Sequence, residues 1–230
     1  NTLLASMTDE VGELVLVDNY RQNQALSVME LMSAERLGSF THFIRTLEQQ
    51  GLLDRAIEFL PSDAELSDRF AKCLGLTRPE LSVLLSYDKI VIFNQLLDSD
   101  MPEDAFLSKE LLRYFPSALQ ERYASYMQNH RLRREIIATA VTNSLVNRMG
   151  STFLMRMQED TGEPPAQIAK AYTIVREAML ARNYWSEIDA LDHRVRILDC
   201  QVCARDRRQP APGSARTVRC PRRASSTRPL

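Results

Sequence analysis

The residues that could carry out chemistry are scattered along this 230-residue sequence. Three histidines occur, His42, His130 and His193, and they lie in three different segments without the i, i+4 spacing of a helical metal-ligand pair. The glycines are also isolated from one another, so that no Gly-x-Gly-x-x-Gly turn or phosphate-binding loop can form. We therefore interpret the histidines as structural or surface residues, and we predict no nucleotide site of these types.

Cys200 and Cys203 have the spacing of a zinc-ligand pair, with Cys220 and His193 as conceivable further ligands. The surrounding residues are rich in Arg and Pro, and a single Cys-x-x-Cys arises readily by chance. We therefore predict no metal site.

Two pairs of carboxylates, Asp98/Asp100 and Glu103/Asp104, lie around Pro102. Acid–base catalysis would need a pocket that shifts the pKa of one of them. A solvated loop or a helix cap is the simpler interpretation. The sequence thus predicts no catalytic residue and no cofactor-binding residue.

The composition is typical of a globular protein with an ample core. Hydrophobic residues make up 44% and charged residues 26%, and no run approaches the ~20 apolar residues of a membrane span. No signal segment opens the sequence, and the cysteines suggest no disulfide framework, so we expect a cytoplasmic protein without a membrane partner. Because the first residue is Asn rather than Met, we expect a piece of a longer protein.

The charge divides the sequence into two parts. Residues 201–230 hold eight arginines and one aspartate, a charge of +7, so that the net charge of -1 leaves -8 on residues 1–200. We predict a helical domain at residues 1–195 and a basic, Arg/Pro-rich, disordered tail at residues 196–230. Such a tail could bind nucleic acid nonspecifically, although disorder without a nucleic-acid partner is the simpler expectation.

The apolar periodicity predicts helices throughout residues 1–195 and no strand, and hence an all-α, irregular multi-helix bundle. Ser62 with Glu65, and Thr77 with Glu80, form capping boxes that predict two helix starts. We also predict Thr8 as an N-cap, followed by two helical segments or one bent helix up to residue 34. Residues 81–97 are apolar almost all round, which predicts a buried helix.

One long helix is predicted from His130 to Phe153, with Gly150 at its end, and its wide apolar stripe predicts a central position with neighbours on more than one side. Asn143, Asn147 and Arg148 lie beside or on its apolar stripe. Because buried polar groups must be hydrogen-bonded, we predict that these three side chains cross-link neighbouring helices.

Seven segments in this order resemble the C-terminal region of the large bacterial NAD-specific glutamate dehydrogenases, over roughly residues 2–195. They are Thr2–Tyr20, Gln22–Ser27, Phe59–Ser62, Gly75–Leu81, Arg113–Pro116, His130–Thr139 and Val146–Gly150. In that family the whole enzyme oxidatively deaminates L-glutamate to 2-oxoglutarate and ammonia and reduces NAD.

The resemblance implies that the NAD-binding fold and the catalytic residues lie in a segment upstream of this region. It implies a fragment that is inactive alone, binds no NAD, and serves stability, assembly or regulation. Its partners would be the catalytic part of the same chain and the other subunits of a homo-oligomer. The alternative is a stand-alone helical module that binds other proteins through its apolar faces.

The sequence departs from the family after about Arg194, where another leucine-rich helix would be expected. We interpret residues 196–230 as the product of a shifted reading frame or of an unrelated fusion. Translation of the encoding DNA in the other frames tests this interpretation.

Overall fold

A computed structural model of the protein describes residues 2–181 and shows an all-α fold over that range. The nine α-helices within it are α1 (Thr2–Leu31), α2 (Leu37–Gln49), α3 (Asp63–Ala71), α4 (Arg78–Leu97), α5 (Ser108–Arg113), α6 (Ser117–Gln128), α7 (Arg133–Met149), α8 (Phe153–Thr161) and α9 (Pro165–Ala181). Two 3-10 turns, Met101–Glu103 and Ala105–Leu107, connect α4 to α5. The basic tail, the final helix predicted from Trp185, His193 and the Cys200/Cys203 pair lie outside the described residues.

The first helix is a single 30-residue element without the predicted cap or break. The hydroxyl of Thr8 donates a hydrogen bond to the carbonyl of Leu4, one turn earlier, as a residue inside a helix does. The polar residues 18–24 do not interrupt the helix. Several of them bind neighbouring side chains instead, for example Gln22, which accepts a hydrogen bond from Lys89 at 2.9 Å.

Both predicted capping boxes are confirmed. The hydroxyl of Ser62 accepts from the Glu65 amide, and the Glu65 carboxylate accepts from the Ser62 amide at 2.8 Å, at the start of α3. Glu80 accepts from the Thr77 amide at 2.7 Å at the start of α4, where Pro79 occupies the first turn. Hydroxyl and carboxylate thus satisfy backbone amides that the helices leave open.

Helices α4 and α7 pack against each other at the centre of the core, and α7 also contacts α1, α5 and α9. Leu84 and Leu145 are completely buried there. The predicted central position of α7 is therefore confirmed. Helix α4 is buried along one face rather than all round, since Ile90 on another side is half exposed.

Two glycines occupy positions in this fold where a side chain would be strained or would clash. Gly150 closes α7 at a φ of +74°, as predicted, in a conformation that L side chains rarely adopt. Gly75 lies between α3 and α4, where a Cβ would be 2.4 Å from the Ser33 hydroxyl and 2.6 Å from the Ala34 amide nitrogen. The connections α1–α2 and α3–α4 therefore cross in backbone contact.

No helix within residues 2–181 combines the length and the apolar character that crossing a bilayer requires.

Candidate functional site

A network of charged side chains joins α5 to α9. Arg176 of α9 is buried and forms ion pairs with Glu110 of α5 and with its neighbour Glu177. Glu177 in turn binds Lys109 at 2.7 Å and Arg113 at 2.9 Å, both on α5. Arg176 also donates to the Ser144 hydroxyl on α7 at 2.6 Å, which brings a third helix into the network. These contacts define the α5–α9 network as Lys109, Glu110, Arg113, Ser144, Arg176 and Glu177.

Every charged side chain of this network is in direct contact with an opposite charge. Burial by itself would raise the pKa of Glu177, but hydrogen bonds from Arg113, Lys109 and Arg176 outweigh it and lower that pKa to about 2. Burial would likewise lower the pKa of Arg176, and the two glutamates raise it instead. Glu177 and Arg176 are therefore held in their charged forms, which suits a structural joint rather than proton transfer near neutral pH.

A second buried carboxyl group, that of Asp88 on α4, lies beside the turn between α7 and α8. Its Oδ2 accepts a hydrogen bond from the Thr152 amide at 3.1 Å, and Asp88 is only 2% exposed. Thr152 has a left-handed φ of +68° and is itself completely buried. Asp88 therefore fixes an unusual turn that places the start of α8 against the core.

Burial raises the pKa of Asp88 to about 7, and the Thr152 hydrogen bond offsets only part of that effect. Sequence reasoning missed this residue. A signal was present, because Asp88 follows Leu81, Leu84 and Leu85 at helical spacing and precedes Ile92 on the same buried face. An acidic residue on an apolar stripe indicates a buried contact that must be satisfied.

A surface groove of about 230 Å³ lies between α4 and α7, lined by Lys89, Ile90, Phe93, Thr139, Thr142 and Asn143. The Lys89 ammonium, one of the lining groups, donates a hydrogen bond to the side-chain oxygen of Gln22. Burial lowers the pKa of Lys89, and the negative charge of Asp18 offsets only part of that effect. The Thr139 hydroxyl donates to the Glu135 carbonyl of its own helix. The groove offers an apolar floor and one cation, without a carboxylate among its lining residues that could act as a base.

Within the described residues the structure shows no cross-link by Asn143 or Asn147, and the cross-link predicted for Arg148 stays a prediction. Asn143 lines the groove, and the described hydrogen bonds of Arg148 go to Ser144 of the same helix. Asn147 is buried, and its side-chain oxygen has no hydrogen-bond partner among the described residues.

Other arginines do make contacts between elements. Arg176 does so in the α5–α9 network. Arg134, at the start of α7, donates to the carbonyls of Leu97 and Ser99 at 2.7 and 3.0 Å. Arg134 therefore satisfies carbonyls that the end of α4 leaves open.

His42 and the carboxylates of Glu103 and Asp104 each have a charged partner in the structure. His42 pairs with Glu159 at 3.0 Å on the surface. Glu103 binds Arg133 and Arg134, and Asp104 binds Lys170 and caps the Phe106 amide. The interpretation of these carboxylates as loop and cap residues is therefore confirmed. Within residues 2–181, no three His, Cys, Asp or Glu side chains are grouped in a way that could hold a metal ion.

Over residues 2–181 the protein is an all-α region in which buried polar side chains connect one helix to another. Residues 73–206 match the family described as "Glutamate dehydrogenase, C-terminal". This chain belongs to that family, which confirms the resemblance seen in its sequence.

Three curated relatives carry the name NAD-specific glutamate dehydrogenase. The Halomonas elongata protein is 50% identical over 195 residues and the Pseudomonas aeruginosa protein 46% identical over 195 residues, each match covering 85% of this chain. The Mycobacterium tuberculosis protein is 34% identical over 197 residues, or 86% of this chain. The chain spans only 12% of the length of each of these relatives.

Proposed function

We propose that this chain is the helical C-terminal region of an NAD-specific glutamate dehydrogenase and that it supports the catalytic part without contributing catalytic residues. The main support for this proposal is that three relatives with this name match 85–86% of the chain at 34–50% identity. In the full-length enzyme the reaction would convert L-glutamate, water and NAD⁺ to 2-oxoglutarate, ammonium, NADH and a proton. A cytoplasmic location and a homo-oligomeric assembly are part of this proposal.

The supporting role rests on how the buried polar groups are used. Arg176 and Glu110 are occupied with each other, Asp88 holds the α8 turn, and Arg134 closes the end of α4. Groups engaged in this way position helices. The described residues also do not fit NAD, because they contain no strand–turn–helix unit to receive its pyrophosphate. We expect the dinucleotide to bind upstream, in the catalytic part.

The experiment compares the isolated chain with a chimaeric enzyme, in which the matching 195-residue region of the Halomonas elongata protein is replaced by that of this chain. We expect the isolated chain to produce no NADH from glutamate and NAD⁺, and the chimaera to produce it. A matched pair of chimaeras carries Arg176→Ala in the α5–α9 network or Lys72→Ala in an exposed pair with Asp68. Only Arg176→Ala should lower the temperature at which activity is lost.

Turnover by the isolated chain would contradict the supporting role, since the catalytic residues would then lie within it. An inactive chimaera that is nevertheless folded would favour the stand-alone interaction module instead.

A further inference from the structure

Helix α1 carries an apolar face that the described residues bury at one end only, although Glu10 in its first half binds Ser117 of α6. The helix is 30 residues long, about 45 Å at 1.5 Å per residue, and its buried residues are all near its end: Ala25, Leu26 and Met29. Each of these three is 6% exposed, whereas Leu4 is 67% and Leu14 49% exposed. The first half of α1 therefore presents large apolar side chains to solvent.

Three of these exposed side chains form a stripe with Met7, which is partly buried. Leu4, Met7, Val11 and Leu14 follow one another at spacings of three, four and three residues, which places them on one side of a helix. On the same side of the helix, seven-residue repeats from Leu4 and Val11 pass through the exposed Asp18, which separates the apolar stripe from the buried Ala25. The same side of the helix is thus core in the last turns and solvent-exposed in the first.

The opposite side of this half-helix is more polar. Ser6, Asp9 and Glu13 lie there, and all three are exposed. Asp9 and Glu13 would lose hydration if that side were buried without cations. The composition therefore fits a helix that packs on one side and stays in water on the other.

The length of the missing polypeptide indicates what covers the stripe. The relatives are about eight times as long as the matched region, and the family description places residues 73–206 at the C-terminal end of such an enzyme. Helix α1 precedes those residues, so it is the element nearest to the remainder of the polypeptide. An apolar layer supplied by that remainder would cover the first half of α1, as the core already buries Ala25 and Met29.

We propose that the Leu4–Met7–Val11–Leu14 face of α1 is the docking surface for the upstream part of the same polypeptide. The occupant presents an apolar surface to these four side chains. This inference rests on the proposed function, because it takes the remainder of a glutamate dehydrogenase as the occupant.

The test uses two cysteine variants of α1, Leu14→Cys on the apolar face and Ser6→Cys on the polar side, in the isolated chain and in the chimaeric full-length enzyme. The rate of maleimide modification at each position is measured by mass spectrometry. Both positions are exposed in the chain itself, so both should react rapidly there and neither change should alter its thermal unfolding. In the chimaera, Leu14→Cys should react more slowly by on the order of tenfold or more, because modification then requires local opening, while Ser6→Cys keeps its rate.

Equal rates for Leu14→Cys in the two contexts would overturn the docking surface. So would an equal slowing of both cysteines, since the helix would then be enclosed rather than covered on one side. Protection that appears in the isolated chain and increases with its concentration would overturn it too, by assigning the face to a second copy.

NADH production by the parent chimaera separates the two proposals. An active chimaera with an unprotected Leu14→Cys keeps the proposed function and refutes the docking surface. An inactive but folded chimaera in which Leu14→Cys is protected refutes the proposed function and supports the docking surface.

Discussion

Arg176 on α9 and Glu110 on α5 form an ion pair in which each side chain is only 6% exposed. The two residues are 66 positions apart in the sequence. The pair therefore holds together two helices that no local signal connects, and its removal is a direct measure of how firmly α9 is attached.

We expect Arg176→Met to lower the free energy of unfolding by about 3–5 kcal/mol, because it leaves the Glu110 carboxylate buried without its main partner. Urea unfolding of the chain at neutral pH provides the measurement. The double variant Arg176→Met/Glu110→Leu should recover much of the loss, since no buried charge then remains. Equal losses in the single and double variants would contradict this account. Lys72→Ala, in an exposed pair with Asp68, serves as the control and should cause no measurable change.

Asp88 gives the fold a pH dependence of a defined sign. Its pKa is about 7 in the folded chain against an ordinary value of 3.8, so the folded state favours the protonated form. The stability associated with that proton is fully present below about pH 4 and is lost as the pH rises through about 7. Asp88→Asn, which stays neutral, should therefore be stabilised relative to the parent more at pH 8 than at pH 5. Urea midpoints at the two pH values test this, and an unchanged difference between variant and parent would exclude it.

Glu177 predicts the opposite dependence. Hydrogen bonds from Arg113, Lys109 and Arg176 overcome the effect of burial and hold its pKa at about 2, below the ordinary 4.5. Its contribution to stability is present above about pH 4.5 and disappears as the pH falls towards 2. Glu177→Gln should thus destabilise the chain at pH 7 and have little effect near pH 2. Thermal melts of parent and variant at both pH values check this, and a destabilisation equal at the two would refute it.

Gly75 cannot accept a side chain without displacing backbone. Since a Cβ there would lie 2.6 Å from the Ala34 amide nitrogen, Gly75→Ala should lower the free energy of unfolding by about 1–3 kcal/mol or more. A Cβ added at Gly38, inside α2, would meet no neighbouring element of the described chain within 4 Å, so Gly38→Ala should be neutral or stabilising by up to about 1 kcal/mol. Chemical denaturation of both variants gives the comparison. The reverse order of stabilities would show that the two connections do not cross in contact.

Leu84 tests the position of the core. It is completely buried on α4, and Leu84→Asp should cost several kcal/mol because an unpaired carboxylate would be placed among apolar side chains. Ile90, on another side of the same helix, is half exposed, and Ile90→Asp should be tolerated. A thermal melt in which Leu84→Asp matches the parent would contradict the placement of α4.

The features predicted correctly from the sequence are those that depend on neighbouring residues. The Ser62–Glu65 cap and the Gly150 helix end need only a few adjacent positions to form, so their signals are visible in the sequence. Thr8 was predicted wrongly for a related reason: a threonine hydroxyl can cap a helix or bind the carbonyl one turn back. The upstream turn, which the sequence did not predict as helix, decides between the two.

The α5–α9 network could not have been predicted in the same way. Arg176 and Glu110 meet only because α5 and α9 both pack against α7, and nothing in their own segments specifies that packing. The docking face of α1 is a third case. Its periodicity is evident in the sequence, but only the structure shows that the face is covered at Met29 and open at Leu4.

Met29 connects the buried end of α1 to the turn after α7. Its sulfur accepts a hydrogen bond from the Ser151 amide at 3.4 Å, and a Cβ on Gly150 would lie 3.2 Å from the same atom. Because Met29 is only 6% exposed and its sulfur is held in this contact, peroxide should oxidise the thioether slowly while the contact persists. The rate of Met29 oxidation therefore reports how often α1 separates from the turn after α7, and mass spectrometry can measure it without a label.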